Sequence, residues 1–285
     1  MAFGSTLKQP QTAATTDFNT DPIFLDIRDG IRVIRILGDE VQVKTYWFDK
    51  VNVKGKIGKR PFIVAVFRDG RWQTADKGKN AIDLHYDETV TDPEKRKKLY
   101  PSQRFYVNVL DRTRIFTDKD GNVIYPNSNG DYPKGYNEED ALPRNMVAIL
   151  EASGGKEGGK HFLQQISTLG DNLRSFQTGK RINLLETDIR IITKKTLDPS
   201  TGKETTVRTP MPDYDQNPLP EDLANLPLYD LEKFCKPWPN EALQEVIDGA
   251  DYYETAKKYN VVLFPRKIGA VEEESNKPTE DDEPF

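Results

Sequence analysis

The chain has 285 residues, of which 36% are hydrophobic and 31% charged. That is enough for one sizeable core with elaborations and too few for several large domains. No apolar run approaches the length of a membrane span, and Met1–Thr6 lacks the basic-then-apolar order of a signal peptide, so a cytoplasmic protein without membrane contact is expected. One cysteine (Cys235) and two histidines (His85, His161) exclude a disulfide framework and supply too few ligands for a structural zinc site; no metal and no cofactor is expected.

The net charge of −5 argues at first against a polyanionic partner, but its distribution reverses that reading. Residues 271–285 carry seven acids against Lys277 alone, which leaves the rest of the chain near neutral. Lys50 to Arg114 holds sixteen basic residues against eight acids. A basic region on a near-neutral body, masked in the total by an acidic segment, is an electrostatic footprint of nucleic-acid binding.

In chain order, residues 1–20 have little to bury and read as a flexible segment. Strands are predicted at Ile31–Leu37 and Val41–Phe48, with Gly38-Asp39-Glu40 as a tight turn making them a hairpin. A third strand follows at Pro61–Phe67, turning through Asp69-Gly70 into Arg71-Trp72-Gln73. Residues 74–101 are polar, with a solvated basic run at Lys95–Lys98. Strand character returns at Arg104–Leu110 and Met146–Leu150, on either side of a Gly/Asn/Pro/Tyr-rich loop. Phe162, Ile166, Leu169, Leu173 and Phe176 step by four and three and mark an amphipathic helix. Asp188–Lys195 and Glu204–Arg208 flank a turn sequence and form another hairpin. Leu243, Val246, Ile247, Ala250 and Tyr253 make a second helical stripe. Apolar content collapses after Ile268, so a domain over 21–268 and a disordered acidic tail over 269–285 are expected. Short strands, inserted helices and long loops suit a mainly β protein, a partly open antiparallel barrel.

A protein that holds single strands without reading sequence needs cations to replace condensed counterions and flat aromatic faces for unpaired bases. The basic region interleaves the two. Candidate phosphate contacts are Arg32, Arg35, Lys44, Lys54, Lys56, Lys59, Arg60, Arg104, Arg112 and Arg114. Strand alternation groups Arg104, Tyr106 and Asn108 on one face, and Phe105, Val107 and Val109 on the other. The same rule groups Lys44, Tyr46 and Phe48 apart from Val43, Thr45 and Trp47. Tyr46 and Tyr106 are therefore the expected base platforms, joined by Phe48 and Trp72, with Trp47 and Phe105 assigned to the core. Lys54–Arg60, rich in glycine and lysine, would let backbone approach phosphates; a solvated hairpin tip explains it as well.

A competing motif, Gly154-Gly155-Lys156-Glu157-Gly158-Gly159-Lys160, fits the pattern of a phosphate-binding loop between strand and helix. Position 161 is His rather than a magnesium-holding Ser or Thr, and no apolar strand ending in Asp supplies the second metal contact. A nucleotide-handling enzyme is thus an alternative reading, as is a phage structural or adaptor protein. No catalytic constellation is found, so the chain is expected not to be an enzyme.

Pro278-Thr279-Glu280-Asp281-Asp282-Glu283-Pro284-Phe285 is an acidic run closed by an apolar residue. Its acids suit a tether that competes with nucleic acid, and Asp281, Asp282, Glu283, Pro284 and Phe285 form a compact anchor for a partner. This run resembles the tip of bacterial single-stranded DNA-binding proteins. The stretches Gly30–Leu37, Phe105–Asp111, Met146–Phe176 and Asp188–Lys195 resemble the replication single-stranded DNA-binding proteins of tailed phages. The resemblance implies an oligonucleotide-binding fold and sequence-independent coating of single strands in replication, recombination and repair. It also implies contacts with polymerase, helicase or primase through the tail, and a DNA-facing role for Arg35, Tyr106 and Asn108. A monomer is expected in solution. Some members carry a zinc-binding insertion, but residues 72–103 contain only His85. Some carry a basic N-terminal arm, but residues 1–20 contain only Lys8.

Overall fold

A computed structural model describes residues 23–153, 162–172, 183–197, 202–213, 219, 223, 226–265 and 267. Residues 1–20, expected to be flexible, the motif 154–160 and the expected acidic tail 269–285 lie outside the described residues. No described helix is long and apolar enough to cross a membrane.

The architecture is mainly β and antiparallel. In chain order the strands are β1 (Gly30–Ile36), β2 (Val41–Val53), β3 (Lys56–Arg68), β4 (Arg71–Gln73), β5 (Ser102–Asp111), β6 (Arg114–Thr117), β7 (Val123–Ile124), β8 (Leu142–Pro143), β9 (Met146–Ser153), β10 (Ile189–Leu197) and β11 (Glu204–Pro212). The helices are α1 (Ala81–Thr89), α2 (Pro93–Lys97), α3 (Phe162–Asn172), α4 (Leu231–Phe234), α5 (Asn240–Ile247) and α6 (Tyr252–Lys258). One sheet runs β11-β10-β1-β5-β2-β3-β4 with β9 also on β5, and β7-β6-β8 form a small second sheet. The described strands do not close into a barrel.

The first predicted hairpin is not one. β5 pairs with β9 along Arg104–Asp111, and its other edge takes β1 at Asp111–Val109 and β2 at Tyr106–Ser102. β1 and β2 therefore lie end to end along one edge of β5, and the Leu37 amide still donates to the Asn108 carbonyl across the join. The residues 38–40 interrupt a strand instead of reversing it, because Gly38 sits at φ 158°, which is extended backbone. The hairpin that does form is β2–β3. Its two-residue turn has Lys54 at φ 48° and Gly55 at φ 78°, the paired positive angles that match the twist of a hairpin.

The sheet bears cores on both faces. Phe105, Val107 and Val109 join Ile34, Leu150, Ile189 and Ile191 beneath Phe162 and Ile166 of α3. On the reverse of β5, Tyr106 and Leu110 join Val43, Ile63, Val66 and Ile149 beneath Tyr229, Leu231, Phe234 and Cys235. The third core lies along the hairpin, where Tyr46, Phe48, Phe62 and Val64 meet Ile82 and Tyr86 of α1 and Trp238, Leu243 and Tyr252.

The polar stretch 74–101 thus contains a helix the sequence reading passed over. Asn80 caps α1 by accepting from the Asp83 amide at 2.9 Å, and Ala81, Ile82 and Tyr86 supply its buried stripe. Asp92 and Pro93 open α2 in the same way. The stripe at 243–253 is two helices, α5 and α6, parted at Gly249 (φ 101°) and restarted by the Asp251 side chain, which accepts from the Tyr253 and Glu254 amides. The predicted β10–β11 hairpin and the Asp69-Gly70 turn (φ 51° and 73°) are present as expected.

Candidate nucleic-acid interface

Burial divides the fifteen proposed contact residues. Tyr46, the first expected platform, is 2% exposed; its hydroxyl donates to Asp83 and its ring meets Tyr86 at 5.9 Å. Burial, reinforced by Asp83, pushes its phenol well above the ordinary value. Phe48 is buried beside it against His85 and Tyr86. The correction follows from α1: the face of β2 that alternation offered to solvent is the one this helix covers.

Tyr106, the second platform, is 7% exposed and lies edge-on to Phe234 at 5.2 Å. Burial first, then the Glu151 carboxylate, raises its pKa. Asn108 is buried too, its amide donating to the Tyr229 carbonyl and accepting from the Tyr229 amide, both at 3.0 Å. On this face of β5, Asn108 docks the backbone at Tyr229.

Arg35 is buried against Asp188 at 2.7 Å, and Asp188 also pairs with Arg112 at 2.7 Å. Arg32 is buried with its guanidinium carbon 3.5 Å from the centre of the Tyr125 ring. Arg114 is exposed and donates to the Glu139 carbonyl at 3.3 Å, far from the hairpin in sequence and on the second sheet. None of Arg32, Arg35, Tyr46, Phe48, Tyr106 and Asn108 is placed to stack on a base or to track a solvent-exposed backbone.

Two separate groupings of a cation with an aromatic ring remain. Lys44 holds its ammonium 4.7 Å from the Trp72 ring centre, and Trp72 pairs across β3–β4 with Phe67, the rings 5.3 Å apart and edge to face. Phe67 is 37% exposed. Arg104 stands 5.8 Å from the ring centre of Trp47 and is fixed by Glu151 at 2.7 Å. Trp47 is 40% exposed, against the expectation that it is core, whereas Phe105 is core as expected. Alternation along β2 puts Lys44 and Trp47 on opposite faces, so these are two patches flanking one hairpin.

The hairpin tip, at the other end of the β2–β3 ladder from both patches, adds further charge. Lys50, Lys54, Lys56 and Lys59 are exposed, and Arg60 is partly so. The tip is braced: Asp251 accepts from the Lys54 amide, and Asn52 donates to the Gly249 carbonyl at 3.0 Å. Lys59 also pairs with Asp49 at 3.0 Å. Most of these ammonium groups keep their charge free for a polyanion while the backbone beneath them is held.

Sequence reasoning missed Phe67 and misplaced Trp47. The Asn80-x-x-Asp83 cap with Ile82 and Tyr86 was the signal that could have shown Tyr46 and Phe48 to be covered. Reading a helix there covers Tyr46 and Phe48; Trp47 is exposed although Val43 and Thr45 on its own face are buried, which no local signal shows. No group of three or more His, Cys, Asp or Glu placed to hold a metal occurs among the described residues. Compared with family models, curated proteins and solved structures, the chain matches none.

Proposed function

We propose that this protein binds single-stranded DNA without sequence readout, along the β2–β3 hairpin and the aromatic patches beside it. The observation that carries the reading is the pair of indoles, half-buried Trp72 and exposed Trp47, each with a cation at its face, on a hairpin whose far tip bears exposed lysines over a braced backbone. An exposed ring beside a cation is the minimal unit that can stack one base and hold its phosphate. Bases in a duplex are already stacked and present no face to such a ring, so the arrangement favours single strands. Roles in replication, recombination and repair, which the sequence resemblance to phage replication proteins implies, are part of the same proposal. The acidic stretch 271–285 then serves as the competing tether and partner anchor.

Fluorescence anisotropy with an unstructured dT oligonucleotide and a matched duplex, across a salt series, tests the proposal. Tight and salt-sensitive preference for the single strand, weakened by Trp72→Ala, is the expected result. Equal binding of both, or none at low salt, overturns it.

A further inference from the structure

Tyr100 is 60% exposed, more than any other described Phe, Tyr or Trp, and its ring is nonetheless held in place. The Arg96 guanidinium carbon stands 5.1 Å from its centre and 5.5 Å from that of buried Tyr86. Arg96 is pinned in turn, to Asp83 and to Asp87 at 3.0 Å each, and its side chain is 12% exposed. Two carboxylates already answer the charge of this guanidinium, so its remaining role is to seat the ring.

The local sequence builds this arrangement. Asp92 accepts from the Glu94 and Lys95 amides with Pro93 beside it, which starts α2 and brings Arg96 against α1. Past α2 the chain bends at Tyr100 and enters β5, where Ser102 faces Thr45 and Gln103 faces Lys44 of β2. Asp83, which holds Arg96, also accepts from the Tyr46 hydroxyl. Tyr46 and Lys44 lie two residues apart on one face of β2, about 7 Å along the strand. Tyr100 is thereby tied, through Arg96 and Asp83, to the face of β2 that carries Lys44 and its partner Trp72.

The charge here has the sign a polyanion needs. Residues 92–98 hold four cations against two acids. Lys97 pairs with Glu94 at 2.8 Å and Lys95 lies 4.0 Å from Asp92, whereas Lys98 is exposed with no ion pair among the described residues. The run that reads in sequence as a solvated basic face thus sets an uncommitted ammonium two residues from an exposed, oriented ring. A cation fixed at one side of a ring leaves the other for a base, and a ring already in place need not be ordered on binding. We infer that Tyr100 is a third base platform, with Lys98 taking the adjoining phosphate, and that the strand reaches it from the Trp72–Lys44 patch. The inference rests on the proposed single-strand binding, to which it adds a direction, toward the junction of α2 and β5.

Anisotropy with a dT oligonucleotide of about six nucleotides, within the range that one such surface covers, tests it on the full chain and on Trp72→Ala, Tyr100→Ala and Tyr100→Phe. Tyr100→Ala is expected to weaken binding roughly fivefold or more, the cost of one lost stack, and Tyr100→Phe, which keeps the ring, to stay within about twofold of the parent. A second measurement needs no substitution: the same oligonucleotide carrying iodouracil is photo-crosslinked to the full chain and the adducts are mapped by peptide mass. An adduct on Tyr100 supports the platform, and adducts on Trp72 with none on Tyr100 overturn it. Parent affinity in Tyr100→Ala beside weakened binding in Trp72→Ala overturns the inference and leaves single-strand binding in place. Equal weakening by both Tyr100 substitutions overturns stacking as the role of the ring. Failure of the parent chain to bind overturns the proposed function, and this inference with it.

Discussion

At the scale of single residues, the same side-chain types divide into two populations that only packing separates. Trp72 is half-buried beside Lys44; Tyr106 is sealed beneath Phe234. Trp72→Ala is expected to weaken single-strand binding by about 1–3 kcal/mol, the range for one lost base stack, with little change in thermal stability, read by anisotropy and calorimetry on the same sample. Asn108→Ala should do the reverse. It strips the partners from the buried amide and carbonyl of Tyr229, each costing about 1–3 kcal/mol when left unpaired. Denaturant unfolding should show that loss, while affinity measured well below the transition stays at the parent value. A drop in affinity for Asn108→Ala at full folding would return β5 to the interface.

Elements show why strand periodicity took the reading part of the way. The β-branched runs of β1, β3, β5, β9 and β10 announced themselves, because alternation and turn residues are local signals. The burial of Tyr46 and Tyr106 is decided by α1 and by residues 229–235, which lie 37 to more than 120 positions away in the chain. Alternation can say that two side chains share a face, but not which face another element will cover. A long bent strand split as β1 and β2 likewise reads as a hairpin locally, since only pairing with β5 distinguishes the two. The ion-paired group joining β1, β10 and the turn after β5 makes a test at this scale. Asp188 serves both Arg35 and Arg112, and its side chain is 3% exposed. Asp188→Asn leaves two guanidinium groups without their anion and is expected to cost about 3 kcal/mol or more of stability in urea unfolding.

Across the whole molecule, charge organisation matters more than net charge. The −5 total describes neither the lysine-bearing hairpin nor the stretch 271–285, and a polyanion approaching within a Debye length of about 10 Å at 0.1 M salt senses each region separately. Two substitutions of that organisation should therefore act in opposite senses. Replacing Lys54, Lys56 and Lys59 together by Gln removes three candidate phosphate contacts; the slope of log affinity against log salt should flatten by about 2, near 0.7 for each contact on a single strand. Deleting residues 269–285 removes the competing anions, so affinity should rise at low salt and the gain should fade as salt is increased. Combining both changes separates attraction from competition. If the acidic stretch acts by occupying the hairpin, its deletion should gain less once the three lysines are gone, because the site it covers has lost most of its tip charge. If the gain persists undiminished in the hairpin without these three lysines, the acidic stretch acts elsewhere, and the hairpin and the tail are independent devices on one chain.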